Sequence, residues 1–258
     1  LVRLDIFATA AAAAHAAAGR LAAVLRRRNG SVLLLPVGKT AVPVYRELVR
    51  LHAAGRAPFR RARTFNVDEL RVSPGDPRSF RSFMEEHLFG KVNLDRRQIR
   101  FLRGDAPDPE RECARYEREL RREGPADVAF VGIGVNGHVA YLEPARSLPP
   151  RTSLVRLSEP TRRSLAADGV RPAPREALTV GIETILSSRD IVMVAIGRRK
   201  AAAVAAALEG AVTPRCPASF LSLHPLLTVF LDRGAASLLT SARRRSPLAR
   251  SRRRRASR

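Results

Sequence analysis

The stretch DVAFVGIGVNGHVAYLEP, residues 127–144, decides how the chain must be read. Residues 127–132 form a short, nearly continuous apolar run. Glycines at 132, 134 and 137 follow before His138. Apolar runs of this length, closed by glycine, fit strands of a parallel sheet covered on both faces. Glycines at a strand end let the backbone approach a ligand closely, and the histidine they present has an unperturbed pKa near neutrality. Glu143, five residues on, is placed to orient the ring or stabilise the imidazolium, and Asn136 flanks it on the other side. The spacing is not a dinucleotide fingerprint, because G-x-G-x-x-G is not followed by the expected helix and distant acid.

Similar runs recur at 31–36, 63–67, 99–102, 191–197 and 227–232, separated by amphipathic stretches at 42–54, 79–89, 108–122 and 198–209. This alternation predicts an α/β chain: a three-layer, Rossmann-like, doubly wound and mostly parallel sheet with helices on both faces. Ligands of such sheets bind beyond the carboxyl ends of the strands, so the residues just after each run are the candidates for function. No repeat and no long Gly/Ser linker divides the chain, which predicts one domain over 1–242 followed by a disordered arginine-rich tail over 243–258.

Three further strand ends carry chemistry. After the run at 31–36, Gly38, Lys39 and Thr40 break the strand and open a helix, aiming backbone N–H groups at an anion. They imitate the end of a Walker A motif, but Leu33 stands where that motif needs its first glycine, so the segment reads as a cradle for a smaller phosphate or as an ordinary strand–helix turn with a solvated lysine, and not as a nucleotide loop. In TFNVDEL, residues 64–70, Asp68 and Glu69 follow the strand at once. A partly desolvated carboxylate at that edge has a raised pKa and can serve as a base toward a carbon acid; the alternative is a pair that caps a helix or offsets arginines. After the run at 191–197, Lys200 falls in the first turn of a helix, where the dipole disfavours a lone cation unless an anion accompanies it; the alternative is an exposed basic helix start in an arginine-rich chain.

The 258 residues contain 47 Lys or Arg against 24 Asp or Glu, a formal net charge of +23. Nine arginines lie within 243–258, with no acid after Asp232, and the remaining body carries +14. An arginine block binds phosphate backbones by counterion release, yet aromatics make up 5% and Trp is absent. Nucleic acid is therefore expected only as a nonspecific partner of the tail. Cys113 and Cys216 stand far apart with no neighbouring metal-ligand pattern, so neither a disulfide framework nor a metal site is expected, and the setting is read as cytoplasmic. The alanine-rich residues 8–18 imitate a secretory leader, but His15 and Arg20 interrupt it, and no run approaches a membrane span. No segment decides between a monomer and a homo-oligomer.

Taken together, LPVGKTAVPVYREL, TFNVDEL, SFRSFMEEHLF, GIGVNGHVAYLEP, ALTVGIETIL and FLSLHP resemble the glucosamine-6-phosphate deaminase family, within the group that also holds 6-phosphogluconolactonases. The resemblance covers about residues 30–232, and SFRSFM with Glu143-Pro144 favours the deaminase branch. It implies an aldose–ketose isomerisation coupled to hydrolytic deamination, giving fructose 6-phosphate and ammonia from the amino-sugar phosphate glucosamine 6-phosphate, with no cofactor and no metal. By the same resemblance Asp68 is the base between C2 and C1, His138 opens the pyranose ring with support from Asn136 and Glu143, and Gly38, Lys39, Thr40, Gly137 and Lys200 hold the substrate. The sequence departs from the family at Leu142, where Asn is usual, at Lys39, which replaces a small residue, and at Ala167, where an arginine is frequent; Lys39 or Arg163 is the expected replacement for that arginine. The alternatives are a sugar-phosphate lactonase of the same fold, or a non-catalytic sugar-phosphate sensor whose tail binds polyanions.

Overall fold

The structure is a computed structural model and describes residues 2–240, so the arginine-rich tail lies outside the described residues. Along the chain these residues form β1 (Arg3–Phe7), α1 (Ala10–Arg27), β2 (Val32–Leu35), α2 (Val42–Ala53), β3 (Arg63–Asn66), β4 (Asp68–Leu70), α3 (Phe80–His87), β5 (Ile99–Arg100), α4 (Pro109–Glu123), β6 (Val128–Gly132), β7 (Ser153–Arg156), α5 (Glu159–Ala167), β8 (Glu176–Thr179), α6 (Ile182–Leu186), β9 (Ile191–Ala195), α7 (Ala201–Glu209) and β10 (Leu227–Asp232). Seven strands build a parallel sheet in the order β1-β10-β9-β6-β2-β3-β5.

That order contains a reversal. From β2 the chain moves outward through β3 to β5, then returns to place β6 on the other side of β2 and continues through β9 to β10. The crevice at such a reversal is where open α/β sheets take their ligands. Here its two walls are the Gly38 turn and the glycine-rich stretch that ends at His138.

Alternation of side chains across the sheet accounts for the two helical layers. Leu33 and Leu35 of β2 share one apolar cluster with Leu21 of α1, Tyr45 and Leu48 of α2 and Met84 of α3. Val32 and Leu34 face the other way, into a cluster with Tyr116 and Leu120 of α4, Ile185 of α6 and Val204 of α7. The alanine-rich segment near the start is α1: Thr9 Oγ1 accepts from the Ala12 N–H at 3.2 Å, and Ala13, Ala14, Ala17, Ala18, Leu21, Ala22 and Leu25 form its buried face. Small side chains on that face allow the helix a close seat on α2 and the sheet.

Two features differ from the sequence expectation. Only Ile99 and Arg100 of the run at 99–102 pair, because β5 is an edge strand bonded to β3 alone. The second is a small antiparallel sheet in the order β4-β8-β7. Its strands have three or four residues each and their partners are distant in sequence, so no local pattern announces them. Among the described residues no helix is long and apolar enough to cross a membrane.

Candidate functional site

The two sheets meet at Val67. Its N–H donates to Leu35 O of β2 at 3.0 Å, and its carbonyl accepts from the Val180 N–H at 2.8 Å. The next residue, Asp68, begins β4 and pairs in register with Thr179 of β8. Asp68 is therefore fixed where the chain leaves the parallel sheet, and it is 6% exposed. Its Oδ1 is buried without a hydrogen-bond partner among the described residues. Burial first, and then the neighbouring Glu69 charge, pushes its carboxyl well above the ordinary aspartate range.

Glu69 has the opposite surroundings. Its carboxylate accepts from the Ser79 hydroxyl (2.8 Å) and from the N–H groups of Leu70 (2.8 Å), Phe80 (2.8 Å) and Arg81 (3.2 Å), which closes the start of α3. Burial raises it to about 7 although all four hydrogen bonds pull downward. The two readings of this acid pair thus divide between its members: Glu69 holds a helix start, and Asp68 keeps an uncommitted oxygen.

His138 is reached from Asp68 through Thr179. Thr179, the register partner of Asp68, accepts the Tyr141 N–H on its hydroxyl at 3.1 Å, which draws the histidine loop to the small sheet. The loop is folded on itself: the Gly134 N–H donates to His138 O at 2.8 Å, and a Cβ at Gly134 would lie 2.2 Å from the imidazole. Glycine at 134 is thus the condition for the ring's position.

Asn136 Oδ1 accepts the His138 backbone N–H at 3.2 Å and lies 2.7 Å from Nδ1. A backbone N–H can only donate, so the amide is oriented with its oxygen toward the histidine, and Nδ1 must carry the proton. Nε2 is left with its lone pair. Burial, aided by the Lys200 ammonium and opposed by Glu143, lowers the ring to about 4, so it is neutral at neutral pH. The contact with the ring is made by Asn136; Glu143 acts on it only through its charge, and its Oε1 accepts the Ser158 N–H at 3.2 Å at the start of α5.

The remaining candidates gather at the same edge. Gly38, with φ +112°, turns the chain after β2, and α2 follows with no side-chain cap on its first N–H groups. Thr40 is half-buried within this turn. Lys200 lies in the 3-10 turn Arg198–Lys200 before α7, and its Nζ donates to Ile133 O at 2.6 Å, tying that turn to the histidine loop. The Gly137 carbonyl accepts the Ala218 N–H at 2.9 Å, securing the loop from its far side.

Tyr141 connects these groups electrostatically: burial raises its phenol far above its ordinary value, and Asp68, Glu69, Glu143 and Asp168 all push further in that direction. Its ring stacks on Phe80 at 6.0 Å. Lys39 pairs with Asp168 just beyond α5, Nζ to Oδ1 at 2.5 Å, whereas Arg163 is exposed. Sequence reasoning missed Thr179, Tyr141 and Asp168, whose contacts all bridge distant segments. Among the described residues no group of three or more His, Cys, Asp or Glu is placed to hold a metal ion.

A family described as glucosamine-6-phosphate isomerases/6-phosphogluconolactonase matches residues 5–228. Glucosamine-6-phosphate deaminase 1 of Giardia intestinalis is 42% identical over 226 residues, covering 86% of this chain and 85% of that protein. Glucosamine-6-phosphate deaminase of Cellvibrio japonicus is 38% identical over 244 residues, covering 93% and 92%. The solved structure of a monomeric glucosamine-6-phosphate deaminase superimposes with a TM-score of 0.88 at 37% identity, over 92% of this chain and 99% of that one. A 6-phosphogluconolactonase from Trypanosoma brucei shares the fold at a TM-score of 0.71 and 19% identity, over 93% and 99%. With its parallel sheet, its glycine-ended strands and these relatives along nearly its whole described length, the chain belongs to the glucosamine-6-phosphate isomerase/6-phosphogluconolactonase family.

Proposed function

We propose that the chain is an amino-sugar phosphate deaminase that converts glucosamine 6-phosphate to fructose 6-phosphate and ammonia. One observation carries the reading. A buried carboxylate with an uncommitted oxygen, Asp68, is tied through Thr179 to a loop whose neutral histidine keeps Nε2 free. A base for a carbon acid and a separate proton carrier for oxygen are what an aldose–ketose isomerisation needs.

His138 Nε2 takes the proton of the anomeric hydroxyl as the C1–O5 bond breaks, and returns it to O5, which opens the ring. Asn136 holds Nδ1 throughout and so keeps Nε2 aimed at the sugar. Asp68, as carboxylate, removes the C2 proton of the open-chain aldehyde; the electron pair forms the C1–C2 double bond and O1 gains a proton. Return of the proton to C1 leaves an imine at C2, and water converts the imine to the ketone with release of ammonia. The reaction is thus an isomerisation with deamination, in which hydrolysis enters only at the imine. Glu143 adds negative charge beside the imidazolium that forms transiently.

Gly38, Lys39, Thr40 and the open start of α2 form one side of a phosphate cradle, and Lys200 the other. The chemistry assigned to Asp68 and His138 uses side chains alone. Purified protein incubated with glucosamine 6-phosphate at neutral pH is expected to release ammonia, and Asp68→Asn to lower that release about a thousandfold. A protein that hydrolyses 6-phosphogluconolactone and yields no ammonia would place the chain on the lactonase side of the family.

A further inference from the structure

The Lys39–Asp168 pair joins the Gly38 turn to the end of α5, and three observations make it more than a surface contact. The Asp168 charge reaches Lys200 and Tyr141 as well as Lys39, so this carboxylate stands among the groups of the site. It sits at the C-cap of α5, where the helix dipole disfavours an anion, so the helix itself gives no reason for its place. It is also unnecessary to the cap, because its backbone N–H supplies the hydrogen bonds to Ser164 O and Leu165 O, both 3.0 Å.

We propose that Asp168 is a built-in anion seated on Lys39 of the phosphate cradle, and that a phosphate binds there by displacing it. Asp168 then acts as a specificity residue. A phosphate dianion brings two charges against one carboxylate and wins the exchange, whereas a neutral sugar brings none and leaves the Lys39 pair closed. Lys39 is 75% exposed and Asp168 41%, so solvent screens the pair and its effect on affinity is modest. The inference rests on the phosphate cradle described under the proposed function.

The test uses the full chain and inorganic phosphate as the probe, measured by isothermal titration. Asp168→Asn is expected to tighten phosphate binding about two- to fivefold, in keeping with an exposed ion pair. The same substitution in a Lys39→Met background is expected to give no gain, because the two residues act as one unit. The KM for glucosamine 6-phosphate should fall in step with the phosphate Kd. Unchanged or weaker phosphate binding by Asp168→Asn, while Lys200→Met loses phosphate, overturns the role of Asp168 and leaves the cradle standing. Phosphate that fails to bind the unaltered protein, or binds Lys200→Met equally well, overturns the cradle and this inference together.

Discussion

Two aspartates at opposite ends of the central sheet are buried to nearly the same degree, Asp68 with 6% exposure and Asp127 with 7%. At the amino end of β6, Asp127 accepts the Val32 N–H at 2.8 Å and Arg28 Nη1 at 2.5 Å, with Arg189 Nε 3.6 Å away. At the carboxyl edge, among the described residues, Asp68 has an oxygen without a hydrogen-bond partner and no adjacent cation. Burial alone therefore does not separate a structural acid from a reactive one; the partners do. A carboxylate supplied with donors stabilises the strands around it, whereas one deprived of them is a stronger base held at some cost to the fold.

The largest expected effect tests the carboxyl edge. Asp68→Asn should lower ammonia release by about a thousandfold, within the range for a lost general base, while leaving the melting temperature unchanged or higher. A marked fall in melting temperature would make Asp68 a structural acid like Asp127 and break the contrast.

Gly134→Ala should come next. Its methyl occupies the position of the imidazole, and a ring displaced by about 1 Å costs about a hundredfold in kcat. Wild-type kcat in this variant would show that the loop does not aim His138. At the other end of the sheet, Asp127→Ala should lower stability by about 2 kcal/mol in chemical denaturation, because the Val32 N–H is left buried and unpaired. Its kcat/KM, expressed per folded molecule, should stay within about threefold, a bound set by the distance of the site from the substitution.

The smallest effect is on the pH dependence of stability. The folded-state pKa of His138 is lowered to about 4 from 6.5, so the folded protein binds fewer protons than the unfolded chain between these values. The resulting stability is present above pH 6.5 and is lost as the pH falls toward 4. His138→Asn should flatten that part of the curve; an unchanged slope would show that the ring is not desolvated.

The sheet was largely legible because its signals are local. The runs at 31–36, 63–67, 127–132, 191–197 and 227–232 contain β2, β3, β6, β9 and β10, since strands buried in a parallel sheet are mostly apolar. Helix α1 was not assigned, because a run of alanines shows little contrast between buried and exposed faces, nor was β1, where Arg3 and Asp5 interrupt the apolar residues. In the site, Asp68 and His138 could be singled out by their position after a strand. The division of labour between Asp68 and Glu69 could not, since it depends on the α3 N–H groups and on Ser79. Likewise Asn136 rather than Glu143 touches the ring because of how the loop curls, a matter of backbone path that spacing does not encode.

The junction at Val67 has a mechanical consequence. Because one of its backbone groups is bonded to the parallel sheet and the other to the antiparallel one, the position of the base is triangulated from two frames. A change that rotates either sheet moves Asp68 relative to the sugar, even when every side chain of the pocket is intact. Substitutions in β8 before Thr179, which touch neither Asp68 nor the histidine loop, would therefore register as losses in kcat, and the small sheet is the place to look for variants that tune the rate without altering what the site binds.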